Sequence, residues 1–195
     1  MAIRKIAQLG HPVLRRRAEE VPTSQLTSPR IQGLIDDMLE TMRDASGAGI
    51  AAPQVHESLR IAIIEVGDNP RYPDLPAVPQ VVLINPVLTP LVGAPGEALA
   101  DHDAVEMYEG CLSVRGLRGR VRRPRKVRVQ GLDRHGKRFD QVFEGFAASV
   151  FQHECDHLDG ILFVDRADPA TLCFLDEYAR YVPLAERLVD GGATD

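Results

Sequence analysis

Gly145-Phe146-Ala147-Ala148-Ser149-Val150-Phe151-Gln152-His153-Glu154-Cys155-Asp156-His157-Leu158 is the stretch on which the fold turns. It reads as a helix that stops at Gly160, a residue suited to a helix C-terminus. At about 100° per residue, Phe146, Val150, His153 and His157 fall on one narrow stripe. The histidines therefore continue an apolar, inward-facing line. His153 to His157 spells HExxH. Residues four apart lie on one helix face, so both imidazoles can reach one ion. Glu154, one step round the helix, can reach a water at that ion. Two core histidines satisfied by hydrogen bonds would look the same, so the pattern depends on a third ligand.

Three positions compete for that role. The extension HExxHxxGxxH keeps Gly160 but has Phe163 where a third histidine would stand, which excludes it. Glu177 falls at the spacing of a glutamate that completes the site from a following helix, and on spacing alone it survives. The third position lies upstream, in Glu109-Gly110-Cys111-Leu112-Ser113, where a cysteine beside glycine on a sharp turn could present its thiolate. The remaining cysteines read differently: Cys155 points away from the histidine stripe and Cys173 is a packing residue. His11, His56, His102 and His135 stand in loop or turn contexts and read as solvated.

Outward from the helix the chain alternates strands with two further helices. Ser28 to Ala45 reads as an amphipathic helix, with Ser28 as N-cap, Pro29 at the first position, and Ile31, Leu34, Ile35, Met38, Leu39 and Met42 as its stripe. Gly47 and Gly49 end it, and their missing Cβ atoms would let a substrate backbone pair there as an added strand. Leu59 to Val66 and Val81 to Leu88 read as strands separated by a Pro-rich loop, and Leu91 to Asp103 as an exposed loop. Val127 and Val129 alternate with Arg128 and Gln130, and residues 134–137 form the turn to a partner strand at Phe139 to Phe143. Asp168-Pro169 opens a third helix that runs to about Tyr181. The class is α+β, with short antiparallel sheets around a central HExxH helix. Residues 1–195 form one catalytic domain, with a helical extension from about residue 166.

The chain has 195 residues, is 44% hydrophobic and 26% charged, and carries a net charge of −5, an ordinary globular balance. No apolar run is long enough to cross a bilayer, and the first residues lack the long apolar stretch of a secretory signal, which points to the cytoplasm. Three cysteines without such a signal argue for reduced thiols, available as ligands or nucleophiles. The charge gives no general reason to expect nucleic-acid binding. From Arg115 to Arg128, however, eight residues are basic and none is acidic. Most of these charges belong on the wet face of a strand.

Three separated segments resemble the signature motifs of one family. Gly47-Ala48-Gly49-Ile50-Ala51-Ala52-Pro53-Gln54, Glu109-Gly110-Cys111-Leu112-Ser113 and Gln152-His153-Glu154-Cys155-Asp156-His157-Leu158-Asp159-Gly160 are similar, in that order, to those of peptide deformylase, and the similarity runs to about Asp165. The resemblance favours Cys111 over Glu177 and implies Cys111, His153 and His157 as ligands of one divalent ion, Fe(II) in the cell with zinc, nickel or cobalt also found in the family. It implies Glu154 as the proton carrier, with the Gln54 side-chain amide and the Leu112 backbone N–H as donors to the developing oxyanion. Gly49, Ile50, Gly110 and Arg118 are implied as substrate-binding. The implied reaction removes the N-formyl group from the N-terminal methionine of newly synthesised polypeptides and releases formate. The implied partners are those formylated N-termini, with a transient contact with the ribosome, no membrane, and no specific nucleic-acid sequence. Two features depart from the family pattern. Arg115 stands where many relatives have proline. Asp176, Glu177, Glu186, Asp190 and Asp195 offset the C-terminal arginines, which argues against ribosome docking through a basic terminal helix.

Overall fold

The computed structural model describes residues 2–66, 78–93, 98–183 and 188–189. The first helix, α1 (Pro29–Asp44), forms where the apolar spacing requires it. The Ser28 hydroxyl accepts from the Ile31 amide at 3.3 Å, and Ile31, Leu34, Ile35, Met38, Leu39 and Met42 are all buried. Seven strands then follow in chain order: β1 (Gly49–Ala51), β2 (Ile61–Val66), β3 (Val78–Pro90), β4 (Ala104–Cys111), β5 (Val114–Pro124), β6 (Lys126–Leu132) and β7 (Arg138–Glu144). The Pro-rich segment between β2 and β3 and most of the Gly-Ala-Pro-Gly run lie outside the described residues. The HExxH segment lies in α2 (Gly145–Leu158).

Among the described residues the strands form two antiparallel sheets. One has the order β1-β2-β3-β6-β7. In β6, Val127 and Val129 are buried while Arg128 is exposed, which is the half-buried alternation of a strand with one wet face. The other sheet holds the β4–β5 hairpin between two short strands, β8 (Cys173–Phe174) against β5 and β9 (Leu188–Val189) against β4. One apolar cluster joins Phe146 and Phe151 of α2 to Ile64, Leu83 and Val129 of the first sheet and to Val105 and Met107 of β4. Helix α2 is thereby packed between the two sheets. This is the α+β class expected, and among the described residues no helix is long and apolar enough to cross a membrane.

The C-terminal end of α2 is held from outside. Gly160 has φ +76°, and a Cβ there would lie 2.9 Å from the Arg15 carbonyl, so the turn needs glycine. The Arg60 guanidinium donates to Leu158 O at 3.2 Å and to Asp159 Oδ1 at 2.7 Å, where a cation also meets the negative end of the helix.

Beyond Asp168 the chain differs from the continuous helix expected there. Asp168 caps a single 3₁₀ turn (Pro169–Thr171), its carboxylate accepting from the Ala170 amide at 2.9 Å, and β8 then pairs Cys173 with Arg118 and Phe174 with Leu117. Only Leu175–Tyr181 is helical, as α3. The cap was legible locally; the pairing that interrupts the helix comes from β5.

Candidate metal centre

Strand alternation and a tight hairpin deliver one half of the site. Along β4 the side chains of Val105, Met107, Glu109 and Cys111 are buried, with the intervening Glu106, Tyr108 and Gly110 less so. The ladder shifts register between Glu109 and Cys111, and Cys111 pairs directly with Val114 across a Leu112-Ser113 turn. Glu109 and Cys111 therefore face the same way, toward α2.

Helix α2 delivers the other half. The Cys111 sulfur, one ring nitrogen of His153 and one of His157 all lie within 4.8 Å of one another. Cys111 Sγ is 3.2 Å from His157 Nε2. A cysteine sulfur and two imidazoles that converge, with Cys111 and His157 buried and His153 partly so, fit a divalent ion of borderline softness, with a position left for solvent. Glu177 is not part of the cluster: it stands on α3 with its side chain half exposed, 3.6 Å from Arg180.

Residues to which the sequence reading gave no role support His153. Its Nδ1 is 2.8 Å from Glu109 Oε2, which leaves Nε2 for the ion. The Glu109 carboxylate in turn accepts from Arg123 Nε at 2.5 Å and Nη2 at 2.9 Å, and from Ser149 Oγ at 3.1 Å. Arg123 also donates to Asp156 Oδ2 at 2.8 Å, and Arg166 pairs with the same carboxylate. Burial alone would raise Glu109, but the Arg123 guanidinium and His153 outweigh it and hold the carboxyl well below the usual range. Burial would lower His153; contacts with Cys111 and Glu109 overcome it and raise the imidazole well above its ordinary value. An ion at Nε2 would have to displace that proton. His157 is pushed well below its ordinary value, chiefly by burial and then by His153, so it is neutral and ligand-ready.

Arg123 is thus an exception to the solvated strand face expected for the basic run. Its side chain is 3% exposed, whereas Arg120 pairs with Glu106, Arg122 with Asp101 and Arg128 with Asp140 at the surface. Neither Glu109 nor Arg123 was singled out from the sequence. The available signal was a carboxylate at an inward position of an alternating strand, where it must find a buried partner.

Glu154 lies on the cleft side of α2, 4% exposed. Burial pushes its carboxyl up to about 7. Its Oε2 is buried without a hydrogen-bond partner among the described residues. A Cβ on Gly49 would lie 2.5 Å from Glu154 Oε1, so this glycine makes room for the glutamate itself. Gly47 contributes to closing α1, its amide donating to Met42 O at 2.8 Å.

Gln54 is fixed by its two ends. Its Oε1 accepts from the Ala51 amide at 2.8 Å, so Nε2 must face Cys111 Sγ (3.5 Å) and Ser113 Oγ (3.2 Å). Gln54, Leu112, Gly49, Gly110 and Arg118 all line the cleft that opens over Cys111, His153 and Glu154. The Arg118 guanidinium lies over the Cα of Gly110, in space a side chain there would fill. The Ile50 side chain is not brought to the cleft; it is fully buried in the core with α1, and Ala48 lines the cleft instead. Cys155 is buried behind the helix, and burial pushes its thiol up, as suits an inert packing residue. His11, His56, His102 and His135 are exposed.

Comparison with known proteins agrees with this geometry. The family model described as polypeptide deformylase matches residues 3–172. A peptide deformylase of Leptospira biflexa is 44% identical over 167 residues, 85% of this chain and 88% of that protein. Peptide deformylase 2 of Ralstonia nicotianae is 46% identical over 169 residues, 87% and 89% of the two chains. Among solved structures, the Met-Ala-Ser-bound class I type b peptide deformylase of Acinetobacter baumannii superposes with a TM-score of 0.76 at 40% identity, covering 85% of this chain and 98% of that one.

Proposed function

The chain belongs to the peptide deformylase family, and from that premise we propose how its own residues carry out the reaction. The protein is a hydrolase that removes the N-formyl group from the N-terminal methionine of polypeptides. The observation that carries the assignment of roles is the convergence of Cys111, His153 and His157 within 4.8 Å beside a buried, unpartnered Glu154 oxygen. In this reading Cys111, His153 and His157 hold one divalent ion, Fe(II) in the cell, with zinc, nickel or cobalt accepted in its place. What the ion supplies when bound is Lewis acidity toward water and the formyl carbonyl.

The protein's side chains do the rest. Glu154 takes the proton from the attacking water, and burial has already raised its basicity into the range where it can do so near neutral pH. It then returns that proton to the departing amine of methionine. The Gln54 Nε2 and the Leu112 backbone N–H donate to the formyl oxygen as charge builds there. The fixed Gln54 amide supports this, since a donor that is already oriented costs no reorganisation. Glu109 and Arg123 position His153. The peptide lies extended between β1 and β4, along Gly49 and Gly110 and beside Arg118, as an added strand. Residues 1–195 act as one catalytic domain, extended from about residue 166. The substrates are nascent chains met in the cytoplasm in transient contact with the ribosome.

Anaerobically prepared protein should release formate from formyl-Met-Ala-Ser. Glu154→Gln should keep the metal and lose activity by about a hundred- to ten-thousandfold. Full activity in that variant would end the assignment of Glu154 as proton carrier.

A further inference from the structure

The cleft and the C-terminal strand share one edge of β4. Tyr108, Glu109, Gly110 and Cys111 all line the cleft, although alternate side chains on a strand point to opposite faces. Consecutive residues can all border a cleft only if it runs along the strand's edge. One edge of β4 is taken by β5 as far as the hairpin, so the cleft lies along the other. That other edge is where β9 pairs, Met107 opposite Leu188 and Glu106 opposite Val189. On the facing side, β1 is the terminal strand of the first sheet.

We propose that β9 limits the length of formyl-peptide that can pair in extended form with β4, because peptide and tail compete for the same edge. This rests on the deformylase reading given above. With the formyl carbon at the Cys111–Glu154 end, a peptide running along β4 passes Gly110, Glu109 and Tyr108 before meeting β9. Three positions at about 3.3 Å each give roughly 10 Å, room for about three extended residues. Further residues must leave the strand direction or displace β9.

The tail is well placed to compete. It is anchored twice before β9: β8 pairs on β5 at Leu117 and Arg118, and the Tyr178 ring of α3 packs 5.2 Å from the ring of Tyr108, itself a cleft residue. A strand tethered this way acts at an effective concentration on the order of mM. All of these contacts come from residues beyond the segment that matches the family model.

The test compares the whole protein with a Leu188→Pro/Val189→Pro double variant and with a chain ended at Pro183. Proline cannot donate to the ladder, so the double variant removes the pairing whichever residue bonds β4. Formyl-Met-Ala-Ser and an extended formyl-Met hexapeptide serve as substrates. The wild type should show about equal KM for both, since added residues find no edge. Both variants should keep wild-type kcat and KM on the short peptide and lower KM on the hexapeptide by about fivefold, the weight of a regained backbone hydrogen bond. An unchanged hexapeptide KM in the variants would overturn the proposal. So would a parallel loss on both peptides, which would make β9 a structural prop of the site. Formate from neither peptide with the wild type would instead overturn the deformylase reading, and the inference with it.

Discussion

Gly49 and Glu154 illustrate how single atoms constrain this site. The carboxylate occupies the space a side chain at position 49 would need. Gly49→Ala should therefore displace Glu154 while leaving the ligands alone. Formate release should fall at least about tenfold, as expected when a catalytic group is shifted by about an ångström, with metal content unchanged by elemental analysis. Arg123 makes a different kind of prediction. Removing it leaves the buried carboxylate of Glu109 facing His153 without its counter-ion. Arg123→Ala should cost about 3–5 kcal/mol in urea unfolding, far more than Arg128→Ala at the exposed pair with Asp140. At this scale the sequence was readable where spacing alone fixes geometry. His153 and His157 share a helix face by arithmetic, whereas Cys111 could be preferred to Glu177 only through the family resemblance. Glu109 and Arg123 stayed hidden because their pairing depends on the register of the β4–β5 hairpin, in which Val105, not Glu109, is directly opposite Arg123.

Elements with a strong internal period were legible in the same way. Helix α1 has its cap, its proline and its stripe where the sequence puts them, and Ser28→Ala should destabilise the protein by about 1 kcal/mol, read as a shift in the urea midpoint at unchanged slope. Helix α2 was legible because its apolar stripe runs straight into the two histidines. The segment after Asp168 was not, since Cys173 and Phe174 are drawn into a strand by β5, and no local propensity announces a partner more than fifty residues away. Gly49 reads as a place of close approach, and within the fold Glu154 from α2 makes one, a contact that only packing creates. Ile50 sits inside the matching segment and turns its side chain into the core, so what it offers the cleft is its backbone on the terminal strand β1.

The whole molecule should be sensitive to acid in a definite direction. The Arg15 contact holds the Asp165 carboxyl below its ordinary value, and the Arg128 contact holds Asp140 at about 2. Carboxylates lowered in the folded state stabilise it above their unfolded pKa near 4 and lose that contribution as pH falls through the folded values. The urea midpoint should therefore drop as pH is taken from about 5 to about 2, and Asp165→Asn should remove part of that slope. The larger organisation has one purpose: two sheets hold α2 between them so that a hairpin sulfur meets two helix imidazoles. X-ray absorption spectroscopy on the anaerobically prepared metalloprotein tests this most directly. One sulfur and two imidazole nitrogens should appear at the metal, and the sulfur should vanish in Cys111→Ser. A first shell of nitrogen and oxygen alone in the wild type would contradict the account.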